Sequence, residues 1–177
     1  MIKLIANDIP TAHRLTVQTM LQEAPHSHDP ELLRESFIVL EIETGSVSSH
    51  WREDRSILEK ATEHVRSTAD LARRMQEHYL ERINEQKIRK VTELLRKKPY
   101  SKKAVIQIWE EGDIDRESGS ACIMYLWFRR DRETIHCHVH IRASDIFKKL
   151  LANLLIASQV HHEISEDLGL SMGILRS

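Results

Sequence analysis

The chain is poor in the residues that interrupt regular structure. Five glycines and four prolines in 177 residues argue against an all-β protein full of tight turns and against a disordered chain. Two cysteines, Cys122 and Cys137, are too few for a disulfide framework, so a reducing, cytoplasmic setting is expected. No apolar run approaches the roughly 20 residues of a membrane span. The start, "MIKLIANDIP", is too short and interrupted for a signal peptide. An excess of one charge is also missing. Lys and Arg number 26 against 27 Asp and Glu, a formal net charge of -1, so no global field draws the chain to nucleic acid or anionic lipid. What is present, 41% hydrophobic and 30% charged, is an ordinary globular composition. No repeat, low-complexity tract or linker divides the chain, so residues 1–177 are expected to form one domain.

Periodicity divides the chain into two styles. "IKLIA" reads as a short strand. Thr11 opens a helix through "AHRLTVQTMLQEA", with Leu15, Met20 and Leu21 on one side. "PHSHDP" is a loop, and "ESFIVLEIETG" alternates as a strand. From Ile57 to about Ile83, apolar residues including Ala61, Val65, Ala72 and Tyr79 recur at helical spacing. A second helix, "EQKIRKVTELLRKK", stops before Pro99. The later part turns to strands: "KAVIQIWEEG", "SACIMYLWFRRD" and "ETIHCHVHIR", the last two forming a hairpin around "RRDR". Ser144 and Asp145 then cap a long apolar helix that Gly169 stops. Its stripe of Ile146, Leu150, Leu154, Ala157 and Ile164 is widened by Leu151, Leu155 and Ile156, so the helix is expected to be buried. The sum is one α+β domain.

The last strand carries His136, His138 and His140 on one face, and Cys137, Val139 and Ile141 on the other. A His-x-His pair suits zinc or copper. Cys137 points the wrong way to join it, and no carboxylate or second Cys-His pair lies nearby in sequence. A polar strand face, partly covered by a partner or ligand, is the expected role, and no metal site is assigned.

A longer pattern runs through the same region. Pro99, Ser101, Lys102 and Lys103 precede β-branched residues and Trp109. Trp109 lies thirteen positions before Cys122, and Cys122 twenty before Arg142. Asp145 follows Arg142 by three, and Asn153 follows Asp145 by eight. Over about residues 85–173 this order and spacing resembles the thymidylate synthase family without a gap. That family has a Pro-x-Ser-Arg-Arg run, a Trp, a nucleophilic Cys, an Arg ending a strand, then an Asp and an Asn. Residues 1–84 carry no such match and read as a divergent N-terminal part.

The resemblance implies a mixed β-sheet with a long buried helix and flanking helices, paired as a homodimer through the sheet faces. It implies a transferase that adds a one-carbon unit, methyl or hydroxymethyl, to C5 of a pyrimidine nucleotide such as dUMP. The donor it implies is 5,10-methylenetetrahydrofolate or another reduced folate. C5 is a poor nucleophile until C6 is attacked, and a thiolate near positive charge is suited to that attack. By resemblance Cys122 attacks C6, and Asp145 orders the site and supports the attacked ring. Arg142 holds the phosphate through a charged fork, and Asn153 donates to and accepts from the base edge. Lys102 and Lys103 stand where the family has paired arginines that reach the partner subunit's phosphate site. They bring charge without bidentate geometry.

The sequence also departs from the family. Ile123 and Ala121 flank Cys122 where a His and a Pro are usual. Ile141 and Ala143 replace the Gln and Ser around the Arg. No counterpart of the ribose-gripping His-x-Tyr segment or of the folate-closing end is found up to Ser177. No N-terminal Gly-Thr-rich phosphate loop and no Glu of a Glu-Leu-x-Trp helix can be assigned. An alternative therefore stands beside the enzyme: a non-catalytic dimer of the same fold that binds a nucleotide or serves as a scaffold. In that reading Cys122 is a buried thiol, Arg142 an ion-pair partner, Asp145 a helix cap, and Lys102 and Lys103 plain surface.

Overall fold

The computed structural model describes residues 2–23, 38–43, 79, 81–117, 120–142, 144–145 and 149–177. Most of the helix expected from Ile57 to Ile83 lies outside them, as do the side chains of Met20 and Leu21. The strands are β1 (Ile2–Ala6), β2 (Ile38–Glu43), β3 (Val105–Gln107), β4 (Ile123–Asp131), β5 (Thr134–Ile141) and β6 (Ser171–Arg176). The helices are α1 (Ile9–Glu23), α2 (Glu85–Lys97) and α3 (Leu150–Leu168), with a short 3-10 turn at Glu111–Asp113. The strands form one mixed sheet in the order β1-β2-β6-β5-β4-β3.

Local chemistry sets most of the boundaries. α1 begins two residues before Thr11, because Asp8 accepts the Thr11 amide at 2.7 Å and Pro10 occupies the first turn, where no amide is needed. Asn84 caps α2 by accepting the Lys87 amide at 3.0 Å, and Ile88, Val91 and Leu95 form its buried stripe. α3 starts later than the expected Ser144–Asp145 cap. Lys149 holds the capping position without a side-chain bond. Asp145 instead offers its carbonyl to the amides of Lys149 and Leu150, at 2.8 and 3.0 Å. Gly169 ends α3 with φ 65°, a conformation that costs glycine little. The hairpin turns at Arg132 and Glu133, slightly beyond the expected "RRDR", with Arg132 at φ 51°.

β6 was not legible in the sequence. "SMGILR" is short, interrupted by Gly173 and without clear alternation, yet it lies between β2 and β5, antiparallel to the first and parallel to the second. It joins the early strands to the late hairpin. Its register against β5 slips between Ile135 and Cys137. His136 fills the slip, its Nδ1 accepting the Ile174 amide at 3.0 Å. A Cβ on Gly173 would stand 2.6 Å from that same Nδ1, so glycine is what lets the imidazole approach.

The two faces of the sheet differ. Leu40, Ile42, Leu126, Phe128, Ile135, Cys137, Val139 and Leu175 are buried in one core with α3. The opposite face carries Glu41, Trp127, His136 and His138, which are half-buried, and Arg176, Tyr125 and His140, which are exposed.

Candidate active site

Antiparallel pairing of β4 and β5 brings the residue before β4 next to the residue after β5. Those residues are Cys122 and Arg142. The Arg142 amide donates to the Cys122 carbonyl at 3.0 Å, and Arg142 Nε donates to the Ala121 carbonyl at 3.4 Å. Twenty positions of sequence thus close into one contact at the open end of the hairpin. Arg142 and Asp145 are exposed, while Cys122 is 8% exposed.

Behind Cys122 lies a chain of polar groups. The amides of Cys122 and Ile123 both donate to the Tyr79 hydroxyl, each at 3.1 Å. Tyr79 donates to Asn153 Oδ1 at 3.0 Å, and Asn153 Nδ2 donates to Ser144 Oγ at 3.1 Å. Burial raises the pKa of Tyr79 well above the usual phenol range, against the lowering effect of the two amides, so the hydroxyl keeps the proton it donates. Tyr79 and Asn153 are 2% and 0% exposed. A buried amide needs such partners, but both ends of Asn153 are engaged inside the protein. Sequence reading had Tyr79 only as part of an apolar stripe and Ser144 only as a cap. A phenol in a buried stripe, which needs a hydrogen-bond partner, was the available signal.

Lys102 and Lys103 lie elsewhere. Ala104 pairs with Phe128, whose amide donates to its carbonyl at 2.9 Å. Phe128 is six residues along β4 from Cys122, a separation of roughly 20 Å at strand rise. The two exposed lysines therefore do not meet Arg142 within one chain. Lys103 instead borders a groove of about 410 Å³ between α2 and β3, with Lys87, Lys90, Leu94 and Gln107.

A second polar cluster braces this region. Buried Arg82 forks onto Asp113, one arm at 3.0 Å, and donates to the Ile108 carbonyl at 2.9 Å. Burial pushes Asp113 up. The Arg82 hydrogen bonds and the Glu110 amide outweigh it and hold the carboxyl below its ordinary range. Among the described residues, no three His, Cys, Asp or Glu converge as a metal site, and no helix is long and apolar enough to cross a membrane.

A mixed sheet backed by a buried helix, with Cys122 and Arg142 adjacent at the hairpin's open end, defines an α+β protein. The chain belongs to the thymidylate synthase family, whose model matches residues 46–176. That match begins well before residue 85, so it takes in part of the stretch read as divergent. Among similar proteins, the thymidylate synthase of Buchnera aphidicola subsp. Baizongia pistaciae is 26% identical over 83 residues, 47% of this chain and 31% of that protein. That of Buchnera aphidicola subsp. Acyrthosiphon pisum is 29% identical over 86 residues, 49% of this chain and 33% of that protein. The matches thus span about a third of each relative's length. The crystal structure of thymidylate synthase from T4 phage has a TM-score of 0.48 at 17% identity, covering 56% of this chain and 35% of that one.

Proposed function

We propose that the chain binds a pyrimidine nucleotide such as dUMP at the open end of the β4–β5 hairpin and acts there as a thymidylate-synthase-like transferase. The observation that carries this reading is the junction of Cys122 and Arg142 through the 3.0 Å backbone bond. Cys122 is the nucleophile for C6, which makes C5 able to accept a one-carbon unit. Arg142, exposed beside it, holds the phosphate. Asp145 follows on the same segment and supports the ring. Tyr79 and Asn153 hold the backbone around the thiol. The co-substrate 5,10-methylenetetrahydrofolate, or another reduced folate, supplies the carbon unit. The exposed cation of Arg142 suits an anionic nucleotide, and none of the described residues is assigned to the folate.

In this reading the protein is a homodimer paired through its open sheet faces. The distance of Lys102 and Lys103 from Arg142 within one chain fits their service to the partner subunit's phosphate site.

A specific observation favours a second reading, a dimer that binds a nucleotide and no longer reacts. Asn153 is 0% exposed and turns one acceptor and one donor of its amide inward to Tyr79 and Ser144, which disfavours it as a reader of the base edge.

Calorimetric titration tests the shared part. dUMP is expected to bind more tightly than deoxyuridine, and Arg142→Ala to weaken dUMP by about 1.5–3 kcal/mol, the cost of a lost charged hydrogen bond. Equal binding of nucleoside and nucleotide contradicts the phosphate role. Fluorinated dUMP with the folate separates the readings: a covalent adduct on Cys122 by intact mass supports the enzyme, and tight binding without adduct supports the scaffold.

A further inference from the structure

The nucleotide reading leaves α2 and the sheet edge beside it without a task. The chain as a whole is nearly neutral, with a formal net charge of -1. Between Glu85 and Lys103, however, stand eight Lys and Arg and only two Glu. One of those two, Glu93, pairs with Arg89 along the helix at 4.0 Å. Lys87, Lys90 and Leu94 follow one another at three and four, so they share one side of α2. That side borders the groove of about 410 Å³. Val91 and Leu94 wall it, Lys87, Lys90 and Lys103 supply its cations, and Glu110 is the single carboxylate of its lining.

The other wall of the groove is β3, which is an edge strand of the sheet. Its register against β4 decides where its backbone points. The Phe128 amide donates to the Ala104 carbonyl at 2.9 Å, and the Ile108 amide to the Met124 carbonyl at 3.0 Å. Val105 and Gln107, opposite Trp127 and Tyr125, alternate with these bonded positions, so their amides and carbonyls face away from the sheet. Two of those four groups are already engaged. The Val105 amide donates to the Lys103 carbonyl at 2.9 Å, and Lys87 Nζ donates to the Gln107 carbonyl at 3.1 Å. The Val105 carbonyl and the Gln107 amide are the acceptor and the donor that an added strand would meet.

Lysines beside an exposed edge ordinarily keep other strands away. That holds for a neutral or basic strand. An acidic strand is attracted by the same charges, so they select rather than forbid. A second copy does not fit, because two such edges meeting about a two-fold axis set lysine against lysine. Single-stranded nucleic acid fits less well than peptide. None of the lining residues is aromatic, so bases find no stacking platform in the groove, whereas its aliphatic walls suit peptide side chains.

We propose that the groove between α2 and β3 is a docking site for an extended acidic segment of another protein, which adds to β3 as a further strand and sets its carboxylates on Lys87 and Lys90. β3 spans three residues, so the pairing covers roughly 10 Å. The affinity is expected to be micromolar, as for a small transient contact. The proposal stands apart from the nucleotide reading, in which Lys87 and Lys90 have no part.

Fluorescence anisotropy tests this with the full chain and a labelled peptide in which glutamate and valine alternate. Saturable, micromolar binding is expected. Lys87→Glu/Lys90→Glu should weaken it at least about tenfold, because two attractions become repulsions. The reversed protein should instead take up a peptide of alternating lysine and valine. Lys90→Glu alone, at an exposed position, should lose part of the binding with an unchanged circular dichroism spectrum. The acidic peptide N-methylated at its central residues keeps its charge but has no amide to donate, and should bind at least about tenfold more weakly. No saturable binding below about 1 mM, or binding that the charge reversal leaves unchanged, overturns the site. Equal binding of the methylated peptide overturns strand addition. An oligothymidylate held more tightly than the acidic peptide makes nucleic acid the occupant and overturns the proposal.

Discussion

The middle of the β4–β5 hairpin and its open end are made of the same two strands, yet different forces hold them. In the middle, Leu126, Phe128, Ile135 and Cys137 are all 0% exposed and are held by packing. At the open end, Cys122, Tyr79, Asn153 and Ser144 are held by a chain of directed hydrogen bonds. Packing rewards volume and tolerates no gap, whereas directed bonds fix where atoms point. Stability should therefore concentrate in the middle, and side-chain positioning at the end.

The largest expected effect is in the middle. Phe128→Ala should cost about 3–5 kcal/mol in denaturant unfolding, the range for a buried aromatic truncated in a packed core. Arg129→Ala, next in sequence but on the open face, should cost under about 1 kcal/mol in the dissociated chain. Equal costs would erase the contrast between the faces.

His161 makes the same point through pH. It is 0% exposed and its Nε2 bonds to the Ile135 carbonyl at 2.6 Å, so that nitrogen is the donor. Burial lowers its pKa from 6.5 to about 4, more than the carbonyl bond raises it. The unfolded chain therefore binds this proton first. The stability His161 contributes is full above about 6.5 and is lost as pH falls toward 4, roughly 3 kcal/mol at most. His161→Gln should flatten that part of the stability curve. An unchanged curve would mean the imidazole is not neutral in the fold.

At the open end, Tyr79→Phe should cost roughly 2 kcal/mol, since it leaves two amides and the Asn153 carbonyl without their partner. Its mark should be weakened dUMP binding beyond any loss of folded protein. A stable variant with unchanged binding would make Tyr79 ordinary core.

Gly173→Ala should cost about 1–3 kcal/mol by overpacking against His136, and His136→Ala should recover much of it. Without that recovery, the register slip of β6 has another cause.

How much of this was readable beforehand follows the same division. Strong periodicity announced β4, β5, α2 and the burial of α3, because alternation and the three-four repeat are local properties. β6 was missed because its place depends on partners distant in sequence and on a glycine whose value appears only beside His136. The Cys122–Arg142 neighbourhood was legible only through the family resemblance; the hairpin and its register shift turn that twenty-position spacing into a contact. The Tyr79–Asn153 bond spans 74 positions and leaves no local trace. Nor could spacing tell that Asn153 would be engaged at both ends, or that Lys102 and Lys103 would stand so far along β4 from Cys122.

The two cysteines bring the contrast to one measurement. Cys137 is fully buried in the middle and burial pushes its thiol up, while Cys122 sits at the open end beside Arg142. Timed alkylation of the native chain with iodoacetamide, read by peptide mass with and without dUMP, compares them directly. The account predicts that Cys122 is labelled first and that dUMP protects it. Faster labelling of Cys137, or labelling of Cys122 that dUMP leaves unchanged, would contradict a nucleotide site at the hairpin's open end.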